Sequence, residues 1–480
     1  MRLAPLFFLL LAACPKAPPP PPPPAPVAAP VDWLAERPVV GAPAAWAPAV
    51  PVESKLTNGL TVWRVTDASL PLVSLSLVLE GGSARDPLPQ PGLTALADTL
   101  ILHGAGARKA AAFAEEAERL AIFINVATQS TSTVVTLRCE AARLDEGLAL
   151  LADAVLRPRF DKDAVSRLRE MHEGEISQEL DEPRVLAQRA ALAAWYGADH
   201  PLGHAPLGTV AGIQKADAAA LKKSWTARAN PHQATMVVAG AVDGPALEAA
   251  LQKHHGAWSG KPAPVTTTPP RKGKPGARIF VDTPGASQSV LRVVMSGWSG
   301  TDAGLEAGRL GSIVLGGTFT SRLNRLLREE KGYTYGASAR LEVRRKESTM
   351  TAASSVKADV TDEALVDLLG VLKAAKSGER PITEEERIKS AGARRQDLVE
   401  AMSARDGVAG TYAELAALGL PADALAKGLV ASQGQSAADI NAALQGLDLD
   451  GALIVVVGDL KTIRADVEAK VPGAWTVVKP

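Results

Sequence analysis

The sequence predicts an α+β protein made of two homologous domains, each a mainly antiparallel sheet with helices packed on one face. The first observation is length, since 480 residues with 46% hydrophobic content exceed what one core usually holds. The second is a repeat, in which MVVAGAVDGPALEAALQKHHGAW in the first half is answered by IVVVGDLKTIRADVEAKVPGAW in the second. Both stretches read as strand, glycine, helix and Gly-Ala-Trp, with Trp258 and Trp475 in matching places. An internal duplication is the economical explanation.

Shifts in composition set the predicted domain boundaries. The stretch SGKPAPVTTTPPRKGKPGA is rich in Pro, Gly and Lys and reads as a linker between the repeats. The predicted organisation is a signal peptide at 1–14, a Pro-rich tether at 15–50, a first domain at 51–260, a linker at 261–277 and a second domain at 278–480.

Residue periodicity assigns the elements of the first half in order. VESKLTNGLTVWRV alternates around Asn58-Gly59, which predicts a β-hairpin, and PLVSLSLVLEGG is another strand. A short helix follows in GLTALADTLILHGAG, then a helix from Ala110 to Ala121 and paired strands in NVATQSTSTVVTLRC. Helices are predicted in ARLDEGLALLADAVL and within 161–194, and ATMVVAGAV closes the half as a strand. In the second half, VLRVVMSGWSG corresponds to VSLSLVLEGGS of the first half.

The N-terminus reads as a targeting segment. MRLAPLFFLLLAAC has one Arg, an apolar stretch too short to span a membrane, and an LAAC that resembles the lipobox of bacterial lipoproteins. This resemblance implies a lipidated Cys14, and the prolines that follow form a stiff spacer. We therefore expect a lipoprotein of the bacterial envelope that faces the periplasm, attached to the outer membrane. The alternative is an ordinary secretory signal with an incidental Cys.

Composition argues against several classes of function. Lys+Arg and Asp+Glu both total 52 and aromatic residues make up 4%, so neither a basic field nor stacking platforms for nucleic acid are expected. Apart from the N-terminus no apolar run approaches 18 residues, so the lipid is the only membrane attachment expected. If Cys14 is lipidated, no intrachain disulfide is possible, and Cys139 is expected to be a small buried hydrophobe.

Polar residues at helical spacing lie on the first short helix. Thr94 and Asp98 are four residues apart on one face, and Ala97 lies beside them. This spacing is typical of a metal site or an acid/base pair, but a threonine hydroxyl is a weak zinc ligand and alanine cannot take a proton. The helix is therefore expected to keep its packing role without chemistry of its own.

The seven histidines do not supply another metal site. His200 and His204 have a spacing of four, but Pro201 and Gly203 lie between them and oppose a helix. The adjacent His254 and His255 point to different faces of a helix end. No metal or other cofactor is expected on this chain.

The ordered set of motifs resembles the pitrilysin/insulinase-type metallopeptidases, which include the mitochondrial processing peptidase and its bacterial two-subunit relatives. The stretches that carry the resemblance cover nearly everything after residue 50. They are LTNGLTVW, GGSARDPLPQPGLTALADTLILHGAG, AERLAIFINVATQSTSTVVTL, LLADAVLRPRFDKDAVSRLREMHEGEISQELDEP, HPLGHAPLGT and LGGTFTSRLNRLLREEKGYTYGA.

The resemblance implies that the zinc motif is degenerate. Active members carry HxxEH on the first short helix, with two His ligands and a Glu as general base. Thr94 and Asp98 stand at the two His positions and Ala97 at the base. Glu175 is the best match for the third ligand of the family, with Glu173 and Glu179 nearby.

The resemblance also implies a substrate-binding pair in the second half. Two-subunit relatives present an Arg and a Tyr seven residues apart, and REEKGYTY supplies Arg328 and Tyr335. Arginine offers a fork of donors to a peptide carbonyl, and a tyrosine hydroxyl can donate to an oxyanion. Gly332 permits a turn between them, and Tyr333 is a competitor for the tyrosine role. The alternative is that Arg328 pairs on its own helix and Tyr335 packs in a strand.

These features predict a non-catalytic subunit of a heterodimeric zinc metallopeptidase. A partner chain bearing HxxEH would hold the zinc, and this chain, inactive alone, would help to bind an unfolded peptide. An edge strand of the first half could pair with that peptide. The alternatives are a non-enzymatic binding or scaffold lipoprotein that keeps the fold, and an independent peptidase with another metal.

Overall fold

The computed structural model of the protein describes residues 41, 44–264 and 268–479. Cys14, the predicted signal peptide and most of the predicted tether lie outside the described residues. The chain divides into two compact units, Met1–Trp46 and Ala47–Pro480. Both predicted domains belong to the second unit.

The strands of the described residues form two six-stranded sheets and one short ribbon. They are β1 (Val52–Lys55), β2 (Thr61–Thr66), β3 (Leu72–Glu80), β4 (Gly104–Ala105), β5 (Arg108–Lys109), β6 (Phe123–Thr128), β7 (Ser132–Glu140), β8 (Ala234–Gly240), β9 (Arg278–Asp282), β10 (Gln288–Ser296), β11 (Thr334–Glu342), β12 (Thr349–Lys357), β13 (Leu453–Gly458) and β14 (Trp475–Val478).

Helices follow the strands in the same order in each half. They are α1 (Leu93–Leu100), α2 (Ala110–Arg119), α3 (Leu144–Leu156), α4 (Lys162–Leu180), α5 (Pro183–Tyr196), α6 (Val210–Ile213), α7 (Ala218–Arg228), α8 (Gly244–His255), α9 (Leu305–Ser312), α10 (Arg322–Asn324), α11 (Thr361–Ser377), α12 (Glu384–Ala401), α13 (Arg405–Ala417), α14 (Ala424–Gly434), α15 (Ala437–Gln445) and α16 (Leu460–Lys470). Two π-helical turns, Ile313–Gly317 and Arg325–Glu330, follow α9 and α10.

The two sheets share one topology, as a duplication requires. Their strand orders are β1-β2-β8-β3-β7-β6 and β14-β9-β13-β10-β12-β11. β8 pairs in parallel with β2, as β13 does with β9. Beyond β8 and beyond β13, the three remaining pairings of each sheet are antiparallel. Only the outermost strands differ, because β1 pairs antiparallel and β14 parallel. The predicted pair of α+β domains is confirmed.

The hairpin predicted at Asn58-Gly59 joins β1 and β2 and is fixed to the end of α8. Gly59 has a φ of 95°, a conformation that a residue with a Cβ rarely adopts. The Asn58 side-chain amide donates hydrogen bonds to the carbonyl oxygens of His255 (2.8 Å) and Trp258 (3.1 Å). The Gly-Ala-Trp of the first repeat therefore lies where the end of α8 contacts the hairpin.

Each sheet packs one face against helices of its own half. In β3, Leu75, Leu77 and Leu79 point into a core shared with α1. In β10, Leu291 and Val293 point into the equivalent core of the second half. The helices predicted on one face of each sheet are found there.

The opposite face of each sheet is covered by a helix from the other half. From the second half, α13 lies on β3 and β8, where Ala413 contacts Val78 and Val134. From the first half, α5 lies on β9, β10 and β13, with Trp195 and Tyr196 in its apolar contact. The repeats therefore exchange equivalent helices and share their cores.

Polar contacts reinforce this exchange. Arg344 donates a hydrogen bond to the Tyr196 hydroxyl (2.8 Å), and that hydroxyl donates to the carbonyl of Glu347 (3.1 Å). The buried Tyr412 of α13 donates through its hydroxyl to the Ala49 carbonyl, at the start of the second compact unit. Burial raises the pKa of Tyr412 to about 12.

Within the described residues, no helix has both the length and the apolar character required to cross a membrane.

The buried His255 makes folding sensitive to acid. Neither ring nitrogen has a hydrogen-bond partner among the described residues, and burial, aided by the neighbouring His254, lowers its pKa to about 4. An unfolded histidine titrates near 6.5, so below that pH the unfolded chain binds a proton that the folded chain excludes.

We expect His255 to cost about 3 kcal/mol of unfolding free energy between pH 6.5 and pH 4. The variant His255→Met should lose less stability over this range, which urea denaturation at several pH values would measure. Leu251 on the same helix provides the control, because it is buried and carries no ionisable group, so Leu251→Met should keep the wild-type pH dependence. Identical pH dependence in wild type and His255→Met would contradict this assignment.

Candidate functional site

The candidate site centres on α1, whose start is held by Asp86. The Asp86 carboxylate accepts hydrogen bonds from the backbone N–H groups of Gly92 and Thr94, both at 2.7 Å. Burial raises the pKa of Asp86, and bonds from Thr94 and Gly92 oppose that rise. The first turn of the helix is thereby anchored, which fixes the direction of the residues that follow.

Asp98 lies at the centre of a buried polar cluster. Its side chain is 1% exposed. One carboxylate oxygen lies 2.6 Å from an Arg228 nitrogen, and the other accepts hydrogen bonds from Thr128 and Thr133, both at 2.6 Å. Both oxygens therefore have strong donors within the protein.

Arg228 reaches this cluster from the end of α7. Its side chain is 2% exposed, and it donates a second hydrogen bond to the Thr133 hydroxyl (2.9 Å). The guanidinium also lies 5.5 Å from the centre of the Trp225 ring. Sequence reasoning missed Arg228, because it is 130 positions from Asp98 and belongs to no motif.

The metal positions predicted as degenerate do not fit a zinc ion. Asp98 is fully engaged by Arg228 and the threonines, Ala97 is packed in the core, and the Thr94 hydroxyl is buried without a partner. Glu175 is exposed on α4, while Glu179 pairs with Arg189 at 2.7 Å. Within the described residues no group of three or more His, Cys, Asp or Glu could hold a metal ion.

The remaining imidazoles serve the structure. His200 donates to the Pro269 carbonyl (2.9 Å) and accepts from the Leu202 N–H (3.0 Å), within a turn. His172, on α4, donates to the Leu207 carbonyl (3.0 Å). Cys139 is buried as predicted, and burial raises the pKa of its thiol to about 12, which makes it unreactive.

The second predicted site is exposed on the other half. Arg328 lies in the π-helical turn Arg325–Glu330, and its guanidinium carbon is 3.8 Å from the centre of the Phe319 ring. Its nearest carboxylate contact is with Glu329 at 3.5 Å. Phe319 is 62% exposed and was not singled out by the sequence, although it lies in the glycine-rich LGGTFTSRL.

Tyr335 projects from a bulge in the edge strand β11. The register of β11 against β12 shifts between Thr334 and Ala337, and Tyr335 is 94% exposed. Tyr333 is half-buried, and its hydroxyl donates to Glu363 (3.0 Å). Among the described residues the Tyr335 hydroxyl has no hydrogen-bond partner, and no hydrogen bond joins it to Arg328. The Tyr335 side chain is thus free to meet a ligand, and Arg328 is partly exposed beside Phe319.

Glycine lets the adjoining π-helical turn approach β11. A Cβ on Gly316 would lie 2.0 Å from the backbone nitrogen of Ala339. Gly332, with φ at 65°, provides the left-handed turn expected between Arg328 and Tyr335. Gly316 and Gly332 therefore allow the backbone conformation from which Arg328 and Tyr335 project.

The pairing of Asp98 with Arg228 yields a stability prediction. Arg228→Met leaves a buried carboxylate without a counter-charge and is expected to cost about 3–5 kcal/mol. Asp98→Leu leaves the guanidinium unpaired and should be similarly severe. The double variant should lose less than the sum, because neither charge remains.

Chemical denaturation of the single and double variants would measure this coupling free energy. The surface pair of Arg464 and Glu468, at 2.8 Å, supplies a control in which Arg464→Met changes stability by less than about 1 kcal/mol. Additive losses at Asp98 and Arg228 would show that the two side chains do not stabilise each other.

Sequence comparison shows the family of the chain. Residues 62–209 match the profile of the insulinase family (peptidase family M16), and residues 215–390 match that of the peptidase M16 inactive domain. An uncharacterized zinc protease of Mycobacterium tuberculosis is 27% identical over 305 residues, 61% of this chain and 67% of that protein. An uncharacterized zinc protease of Rickettsia felis is 26% identical over 155 residues. A protein of Helicobacter pylori named as a non-peptidase homolog is 28% identical over 156 residues, 32% of this chain and 36% of that protein.

The alignments cover 37% of the Rickettsia felis protein and 64% of an uncharacterized zinc protease of Mycobacterium leprae, so the chain matches only part of these curated relatives. Solved structures share the fold across most of the chain. A peptidase M16 inactive domain from Pseudomonas fluorescens has a TM-score of 0.79 at 22% identity, covering 85% of this chain and 97% of that one. A protease from Helicobacter pylori has a TM-score of 0.78 at 19% identity, covering 85% and 100%. By its sequence and its fold, the chain belongs to the insulinase family of peptidases, family M16.

Proposed function

We propose that this chain is the non-zinc subunit of a heterodimeric zinc metallopeptidase. A partner of the same family would bring HxxEH, the zinc ion and the general base. This chain would contribute Arg328 and Tyr335 to the binding of an unfolded peptide. The observation that carries the proposal is that an ion pair occupies Asp98, while Tyr335 is exposed and Arg328 is partly exposed.

The proposed chemistry assigns a separate task to each side chain. Zinc in the partner would polarise the scissile carbonyl and activate water. Arg328, oriented by its stacking on Phe319, would hold a backbone carbonyl or a carboxylate of the peptide through its planar fork of donors. The Tyr335 hydroxyl would donate to the oxyanion that forms when water attacks.

Local backbone geometry supports a function for this region. π-Helical turns are rare and often mark functional sites, and Arg328 lies in one. The bulge at Tyr335 directs a large aromatic side chain into solvent. Exposing its apolar ring to water costs free energy that burial in the core would recover. A pure scaffold has no need of either feature.

The edge strand β6 is suited to hold an extended peptide. It forms the end of the first sheet and pairs only with β7 within that sheet. Its last residue, Thr128, bonds to Asp98, so a peptide added along β6 would pass the degenerate metal position.

The relatives fit a family in which catalysis is not universal. One is named a non-peptidase homolog, whereas others are named as zinc proteases. The ion pair at Asp98 supports grouping this chain with the non-peptidase homolog. The second candidate is a non-enzymatic binding or scaffold lipoprotein. The one observation that favours it is the buried ion pair between Asp98 and Arg228.

We expect Tyr335→Phe to reduce kcat of the partner complex about 10²–10³-fold, because one oxyanion donor is lost. The tagged protein would first be purified from its host, and the co-purifying HxxEH-bearing chain would then be co-expressed with each variant. Tyr333→Phe is the matched control, since its hydroxyl already donates to Glu363.

Size-exclusion chromatography would establish that the subunits still associate. Unchanged activity in an intact Tyr335→Phe complex would favour the scaffold role. Recovery of only copies of this chain from the host would reject the divided enzyme.

The proposed location is the periplasmic side of the outer membrane, with a lipid on Cys14. Cys14→Ser should move the protein from the outer-membrane fraction into the soluble periplasm. Cys139→Ala, at the only other cysteine, should remain membrane-bound. Membrane attachment of Cys14→Ser would reject the lipid anchor.

A further inference from the structure

A cavity of about 770 Å³ lies between the two exchanged helices. Trp195 and Tyr196 of α5 line one side, and Glu414 and Leu418 of α13 line another. The end of β6 reaches it through Thr128, which also bonds to Asp98. The volume lies within the usual range for small-molecule sites. Arg328 and Tyr335 do not line this cavity, so it is separate from the proposed peptide contacts.

Four arginines line the cavity, and only one is satisfied by the protein. Arg344 donates twice to Glu342 (2.6 and 3.2 Å) and once to Tyr196. Within the described part of the chain, Arg292, Arg309 and Arg394 donate no hydrogen bond, and the Nε atom of each is buried without a partner. Three buried Nε–H donors at the wall of one cavity therefore lack an acceptor among the described residues.

The nearby carboxylates compensate these cations incompletely. Glu306 lies 3.4 Å from Arg309 and 4.0 Å from Arg394, and it also accepts a hydrogen bond from Ser432. Neither arginine contact is a hydrogen bond. Arg292 has no ion pair among the described residues. Glu342, Asp397 and Glu414 also line the cavity, but among the described residues none of them accepts a hydrogen bond from Arg292, Arg309 or Arg394.

Proton affinities agree with this geometry. Burial, together with the positive charge of Arg309, lowers the pKa of Arg394 to about 10. Burial also lowers the pKa of Arg292, which Glu342 offsets in part. Burial raises the pKa of the cavity-lining Glu414 despite both nearby arginines. Burial therefore makes the charged guanidinium groups of Arg292 and Arg394 costly unless an acceptor contacts them.

We propose that this cavity binds an oxyanion, a carboxylate or phosphate group, through Arg292, Arg309 and Arg394. Guanidinium groups match these anions because their planar donors pair with two oxygens at once. The anion is carried either by an acidic peptide or by a small free solute. It supplies the acceptors that the three Nε–H groups lack, and the cavity that holds it is lined by residues of both repeats.

Isothermal titration of the full chain with sodium phosphate and with tetraglutamate tests the proposal at constant ionic strength. Arg292→Met and Arg394→Met should each weaken binding at least about 10-fold, because a charge-assisted hydrogen bond is lost. Arg387→Met is the control, since Arg387 lies on the same helix as Arg394 but pairs with Glu384. Binding of phosphate alone identifies a small solute, and preference for tetraglutamate identifies an acidic peptide.

Thermal unfolding without added anion separates binding from a structural role. Arg292→Met should be at least as stable as wild type, because the Arg292 side chain makes no hydrogen bond or ion pair with the described residues. A lower Tm in Arg292→Met would show that this arginine stabilises the fold instead. Binding of neither anion, or binding unchanged by both substitutions, would overturn the proposal.

Discussion

The exchange of α5 and α13 is the constraint on which the rest of the structure depends. A sheet with two apolar faces must cover both, and each half supplies helices for only one face of its own sheet. Val78 and Val134 of the first sheet rely on Ala413, while Val290 and Val294 of the second rely on Trp195. The repeats therefore fold as one compact unit, although duplication made them similar. The cavity between the halves exists because the two exchanged helices bound it.

The cluster around Asp98 shows how a metal helix can persist without metal. A buried carboxylate needs positive charge and donors, and these come from Arg228, Thr128 and Thr133. The guanidinium supplies the charge that a cation would otherwise provide, in a form that cannot polarise a substrate from within the core. The packing of α1 is thus preserved, and Asp98 stabilises the fold instead of holding a metal ion.

Local signals in the sequence predicted local structure well. Asn58-Gly59 identified the hairpin, the Gly-Ala-Trp repeat identified the duplication, and alternation identified β3 and β10. The choice of Arg328 and Tyr335 came from the family resemblance, and their role stays a prediction. Arg228 and the helix exchange escaped prediction, since they depend on pairings across 130 or more positions that leave no mark on periodicity. The three cavity arginines were not identified from the sequence for the same reason.

The hydrogen bond from Tyr412 to Ala49 has a mechanical consequence. It fastens the beginning of the folded unit to α13, a helix that belongs to the second repeat and lies on the sheet of the first. Tension applied through the preceding segment would load this interface in shear, across many apolar contacts at once, rather than peel β1 from the sheet edge. The start of the folded unit at Ala49 is therefore bonded to the same helix that holds the two repeats together.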